Sequence, residues 1–170
     1  MHGTTVLGYV SLLDVTAPWE IAGTADFNGD GQTDILWQNL DTGQRWVWLM
    51  HGTTVLGYVS LLDVPAPWKI AGTADFNGDG QTDILLQNLD TGQRGVWLMD
   101  GTTVLGYVSL LDVPAPWEIA GTADFNGDGQ TDILWQNLDT GQRGVWLMDG
   151  TTVLGYVSLL DVPAPWQIGN

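Results

Sequence analysis

Nine residues, Asp26-Phe27-Asn28-Gly29-Asp30-Gly31-Gln32-Thr33-Asp34, return unchanged as Asp75 to Asp83 and as Asp124 to Asp132, 49 residues on each time. Their side chains are hard oxygen donors. Counted from the first Asp, side-chain oxygens stand at positions 1, 3, 5 and 9, and a backbone carbonyl is on offer at position 7. A short loop with that set suits Ca²⁺, which takes about six to eight oxygens in flexible geometry. The candidate ligands are Asp26, Asn28, Asp30, Gln32 (carbonyl) and Asp34. Their equivalents are Asp75, Asn77, Asp79, Gln81 and Asp83, then Asp124, Asn126, Asp128, Gln130 and Asp132. Gly31 stands where the chain must turn sharply, and glycine enters positive φ without steric cost. A metal-free turn would use the same residue types. Against that reading, carboxylates converging on one loop would repel one another without a cation. An EF-hand does not fit, because its closing Glu and its flanking helices are missing.

Other chemistry finds little to stand on. Glu20 recurs as Glu118 but is replaced by Lys69 and Gln167, and His2 and His51 are replaced by Asp100 and Asp149. Ser11, Ser60, Ser109 and Ser158 have no base beside them, and the chain has no cysteine. A nucleophile needs an adjacent base or a lowered pKa, so the chain reads as non-enzymatic. Arg45, Arg94 and Arg143 are expected to pair locally with Asp41, Asp90 and Asp139. Of ten tryptophans, Trp19, Trp48, Trp68, Trp97, Trp117, Trp146 and Trp166 recur at fixed places and read as wedges between repeats. Trp37, Trp46 and Trp135 occupy places where other copies hold Leu86, Gly95 or Gly144. Indole faces stack on sugars, and Trp46 is the indole best placed to face a ligand.

The elements that must carry these loops follow from the repeat. Residues 2–50 and 51–99 differ at four positions, Thr16/Pro65, Glu20/Lys69, Trp37/Leu86 and Trp46/Gly95. A fourth copy begins at Asp149 and stops before its acidic loop. Within one unit, Ile21 to Phe27 is a short apolar run feeding the loop, and Asp34 to Asn39 is rich in strand formers. Leu40 to Gln44 is a hairpin turn with Gly43 at the left-handed place. Arg45 to Met50 and Val55 to Leu62 make two further strands, and Pro65, Pro67 and Trp68 break the pattern. No window carries a capped helical stripe. Four short antiparallel strands per unit of this length are the mark of a propeller blade.

The expected fold is all-β: three blades of four antiparallel strands plus an extra outer strand, with units at 15–63, 64–112 and 113–161. The extra strand falls in residues 2–14, and residues 162–170 begin a further unit. In the third strand Trp46, Trp48 and Met50 face one way and Val47 and Leu49 the other. Both faces are apolar, so each blade needs a neighbour on both sides.

Twenty acidic residues against four basic ones leave a formal net charge of −16. Nine of those acids lie in the three loops, where three divalent cations would offset six charges. The acid excess excludes nucleic acid and anionic membrane as partners, since both demand a basic footprint. The longest apolar runs fall far below the roughly 20 residues of a membrane helix. The chain opens directly into the repeat, so an export signal is expected to lie outside this sequence.

At the run Ile21-Ala-Gly-Thr-Ala-Asp-Phe-Asn-Gly-Asp-Gly-Gln-Thr-Asp-Ile-Leu36, followed by the Trp-Leu-Met strand, the chain resembles the FG-GAP family. This is the integrin α-like, VCBS-type β-propeller repeat. The resemblance implies that each loop joins the first two strands of a blade and binds Ca²⁺, three ions per chain. It further implies an extracellular module, in a family that includes adhesion receptors and lectins. The function expected is a non-enzymatic calcium-binding module for binding or assembly, with a glycan or a protein as ligand. A carbohydrate-binding lectin with pockets between blades is the alternative. Closed propellers have about four to eight blades, so ring closure is expected through a homo-oligomer, with two chains favoured. Residues 4–13 duplicate 151–160 and could exchange strands at the seam.

Overall fold

Each unit strings together short runs of Ile, Val, Leu, Trp and Thr, interrupted by Gly, Asn and Pro, a composition that favours strands. The computed structural model describes residues 8–163 and 168. It contains twelve strands and, among the described residues, no helix. The first sheet comprises β1 (Trp19–Ala25), β2 (Asp34–Asn39), β3 (Arg45–His51) and β4 (Thr54–Ser60). The second holds β5 (Trp68–Ala74), β6 (Asp83–Asn88), β7 (Arg94–Asp100) and β8 (Thr103–Ser109). The third holds β9 (Trp117–Ala123), β10 (Asp132–Asn137), β11 (Arg143–Asp149) and β12 (Thr152–Ser158). Each is an antiparallel meander in chain order.

The first strand starts earlier than its apolar run indicates. Trp19 pairs with Asn39 and Ala25 with Asp34, with a bulge between Ile21 and Gly23. Trp68 and Trp117 likewise open strands rather than linkers.

The sheets stack face on face, with β1 beside β5 and β5 beside β9. Two apolar layers form between them. One joins Phe27, Leu36 and Val47 to Ile70, Ile84, Trp97 and Met99. The other joins Phe76, Leu85 and Val96 to Ile119, Ile133, Trp135 and Met148. In β7, therefore, Trp97 and Met99 serve one layer while Val96 serves the other. That is the two-sided burial expected of a blade. The arc stays open: Ile21 on the first sheet and Phe125 and Leu159 on the third are exposed.

The extra outer strand is corrected by the structure. Residues 8–13 form no strand, and residues 2–7 lie outside the described residues. The reason is pairing. The copies at β4, β8 and β12 each lie on a preceding Trp-Leu-Met strand, and among the described residues no strand receives residues 8–13. The segment still follows the path of a preceding unit, because residues 11–13 border the start of β4 as residues 60–62 border β8. Of the further unit expected at 162–170, only Val162, Pro163 and Ile168 are described.

Gly43 sits at φ 81°, and a Cβ there would stand 2.5 Å from the Val64 carbonyl oxygen. Left-handed backbone at a non-glycine residue costs about 1–3 kcal/mol, and the contact adds to it. Gly43→Ala is expected to lower unfolding stability by at least that much in denaturant melts, whereas Gly57→Ala, with no heavy atom within 4 Å, should change it little.

Candidate metal centre

The loop of residues 26–33 joins β1 to β2, and its equivalents join β5 to β6 and β9 to β10. Its shape comes from carboxylates turned onto main-chain amides. One oxygen of Asp26 accepts the N–H groups of Gly29 at 2.8 Å and Asp30 at 3.2 Å, and the other accepts Gly31 at 2.8 Å. Asn28 Oδ1 accepts the Asp30 N–H at 3.0 Å, and Asp30 Oδ1 accepts that of Gln32 at 2.8 Å. These are nested side-chain turns. They need Gly29 at φ 73° and Gly31 at φ 83°. The other two loops repeat the pattern bond for bond. In the third, the Gly129 amide foremost, with those of Gly127, Asp128 and Asn126, holds the Asp124 carboxyl below the usual range.

Position 9 behaves differently. Asp34 is fully buried, with one oxygen on the Phe27 N–H at 3.0 Å and the other on the Met50 N–H at 2.8 Å. It fastens the loop to β3. Burial pushes the equivalent Asp83 carboxyl up, and the amides of Met99 and Phe76 oppose that rise. Gln32 adds a second anchor, its Oε1 accepting the Gly52 N–H at 3.1 Å.

Asp26, Asn28 and Asp30 thus come together on the open loop, Gln32 at its edge and Asp34 beneath. Among the described residues no three Asp, Glu, His or Cys side chains are gathered as a metal set. The physical reason is that Asp34 faces the sheet while Asp26 wraps the loop. The donors still fit a hard cation in kind. All are oxygens; one Asp26 oxygen is filled by the Gly29 and Asp30 amides, but its other oxygen holds only the Gly31 amide and keeps lone-pair capacity. Asp26, Asn28, Asp30 and the Gln32 carbonyl would hold the ion from the loop, while Asp34 fastens the loop to β3 beneath them.

Trp46 lies on the open face of the first sheet, half-buried. Its ring is 5.1 Å from that of Trp19 and stacks on Tyr58 at 5.1 Å. In the later units the Tyr107 and Tyr156 rings lie over Gly95 and Gly144 instead. The cavity beside Trp46, bounded also by Val15, Trp19, Trp37 and Trp48, encloses about 90 Å³. Trp97 is buried between the first two sheets, in keeping with a wedge, whereas Trp48 is buried beside Trp37 on the open face of the first sheet, and Trp166 lies outside the described residues.

The arginines overturn their expected pairing. Arg45 is buried and donates to the carbonyls of Trp68 at 2.9 Å, Gln44 at 3.1 Å and Asn39 at 3.5 Å, while Asp41 is exposed. Burial lowers its pKa, against the opposing pull of Asp63 and Glu20. Gln38 is the functional residue that spacing did not single out. Its Oε1 accepts the Ile70 N–H at 2.9 Å across the sheet junction, and Gln87 repeats this on Ile119 at 3.1 Å. Its identical recurrence in every second strand was the available signal.

Stacked four-stranded meanders, each with an acidic loop between its first two strands, define a propeller-type β-repeat module. A family model described as an FG-GAP-like repeat matches residues 26–86 and again 75–135, more than half of the chain. The chain belongs to the FG-GAP-like repeat family. Compared with curated proteins, it finds no match.

Proposed function

We propose that the chain is a non-enzymatic, calcium-binding propeller module that binds one Ca²⁺ per acidic loop and associates with copies of itself. One observation carries this reading. The same all-oxygen loop, built by the same nested turns, stands between the first two strands of all three sheets. FG-GAP repeats are typically parts of extracellular domains, and no helix among the described residues is long and apolar enough to cross a membrane. An affinity of about 10⁻⁴–10⁻³ M or tighter is expected for such a module. Calorimetric titration should register three ions per chain, and a flat titration would end the reading. The open outer faces support self-association, with a two-chain ring favoured. The lectin alternative gains less, since a 90 Å³ cavity beside Trp46 is well below the roughly 300 Å³ of small-molecule sites.

A paired substitution compares a loop carboxylate with an exposed turn carboxylate, and the part of the Asp30 loss that disappears in chelator is the metal's share. Asp30→Ala should cost more stability in calcium than Asp41→Ala, whose side chain is exposed and should cost no more than about 0.5 kcal/mol. Equal losses would mean that the loops hold no metal.

A further inference from the structure

The three acidic loops are identical in sequence but not in surroundings. Phe27 and Phe76, the second residues of the first two loops, are each 1% exposed, whereas Phe125 is 46% exposed. The neighbouring sheet makes the difference. Phe27 packs in one layer with Ile70, Ile84 and Met99, and Phe76 in the next with Ile119, Ile133 and Met148. A turn of the following sheet also closes over each loop. A Cβ on Gly101 would come within 3.2 Å of the Phe27 carbonyl oxygen, and one on Gly150 within 3.2 Å of that of Phe76. Thr131 donates to the Asp75 carbonyl at 3.5 Å, so the third loop helps hold the second. No sheet of the described chain does this for the third loop. At the other end, Ile21 is 55% exposed while Ile70 and Ile119 are 5% and 2% exposed. The two ends are the two halves of a junction that the chain makes twice within itself.

We propose that the open face of the third sheet, centred on Phe125, takes the open face of the first sheet of a second copy, head to tail, and that this contact completes the third acidic loop. The second half of the proposal rests on the calcium reading above. A second copy is the fitting occupant because Ile21, Ile35 and Met50 repeat, position for position, the Ile70, Ile84 and Met99 that cover Phe27. The contact is heterologous: each copy offers two different faces, each used once, so copies add in one direction until a ring closes. Covering Phe125 fixes the loop that carries Asp124 and Asn126, and binding linkage is reciprocal. Calcium at the third loop and the second copy therefore strengthen each other.

Phe125→Asp tests this, read by light scattering and by calorimetric titration with calcium alone. At concentrations where the parent chain assembles, the variant should stay at monomer mass, its association weakened roughly thirtyfold or more, a loss of hot-spot size. Its melting temperature as a dilute monomer should match the parent, because Phe125 is exposed there. Ile21→Asp, at the other end, should weaken association equally, and mixing the two variants should give dimers that stop growing. In the parent, the third calcium site should tighten with protein concentration, and in Phe125→Asp it should not. A parent that stays monomeric, or variants that associate as the parent does, would overturn the docking. Assembly that depends on Phe125 without any calcium uptake would sink the calcium reading and the claim that docking completes the loop, while leaving the docking itself standing.

Discussion

Stripping calcium with a chelator is expected to lower the melting temperature by roughly 5–10 °C for one loop's worth of binding, and by more for three. A ligand that binds only the folded chain stabilises it by about 2.7 kcal/mol at a concentration a hundredfold above its dissociation constant. For a domain of this size, each kcal/mol moves the midpoint by about 2–4 °C. The loops are absent as sites in the unfolded chain, so the binding free energy adds directly to folding. Magnesium should restore little, because it demands tighter octahedral geometry and gives up its waters reluctantly. The measurement is a thermal melt in calcium, in chelator and in chelator with excess magnesium. An unchanged midpoint in chelator would remove the metal from the account.

The sheets and loops were legible in the sequence because their causes are local. Alternating apolar residues and Gly43 in a hairpin turn depend on neighbours a few positions away, and the 49-residue period repeats them in each unit. What escaped depends on partners far along the chain. Asp34 counts as a ligand by spacing alone, yet its oxygens are engaged by Phe27 and by Met50, sixteen residues on. Gln38 works across a sheet junction, on the amide of Ile70. The extra outer strand read well as a strand from its own residues, but a strand exists only where an edge receives it, and among the described residues none receives residues 8–13. Trp46 stands where two later copies have glycine, and only the structure reveals that the space left by glycine belongs to a tyrosine ring.

The arginines separate the two kinds of reasoning most sharply. Nearness in sequence pairs Arg94 with Asp90, and such an exposed pair would contribute little. Arg94 is instead fully buried, with its guanidinium on the carbonyls of Gln93 at 2.9 Å, Asn88 at 3.0 Å and Trp117 at 3.0 Å. It also lies 5.4 Å from the centre of the Trp135 ring, across the junction between the second and third sheets. Burial lowers its pKa, with Asp112 and Glu118 pulling the other way. Its work is therefore to satisfy three carbonyls at the end of a turn and to bridge two sheets. Arg94→Ala is expected to cost about 3–5 kcal/mol, from carbonyls left without donors and a cavity beneath Trp135. Arg94→Lys should recover only part of this, since an ammonium lacks the planar fork that reaches several carbonyls at once. Asp90→Ala should be nearly silent, and the double variant should lose the sum of what Arg94→Ala and Asp90→Ala lose singly. Urea melts of the four proteins decide it. A coupling between Arg94 and Asp90 above about 0.5 kcal/mol, the limit for independent sites, would restore the salt bridge and remove the carbonyl account.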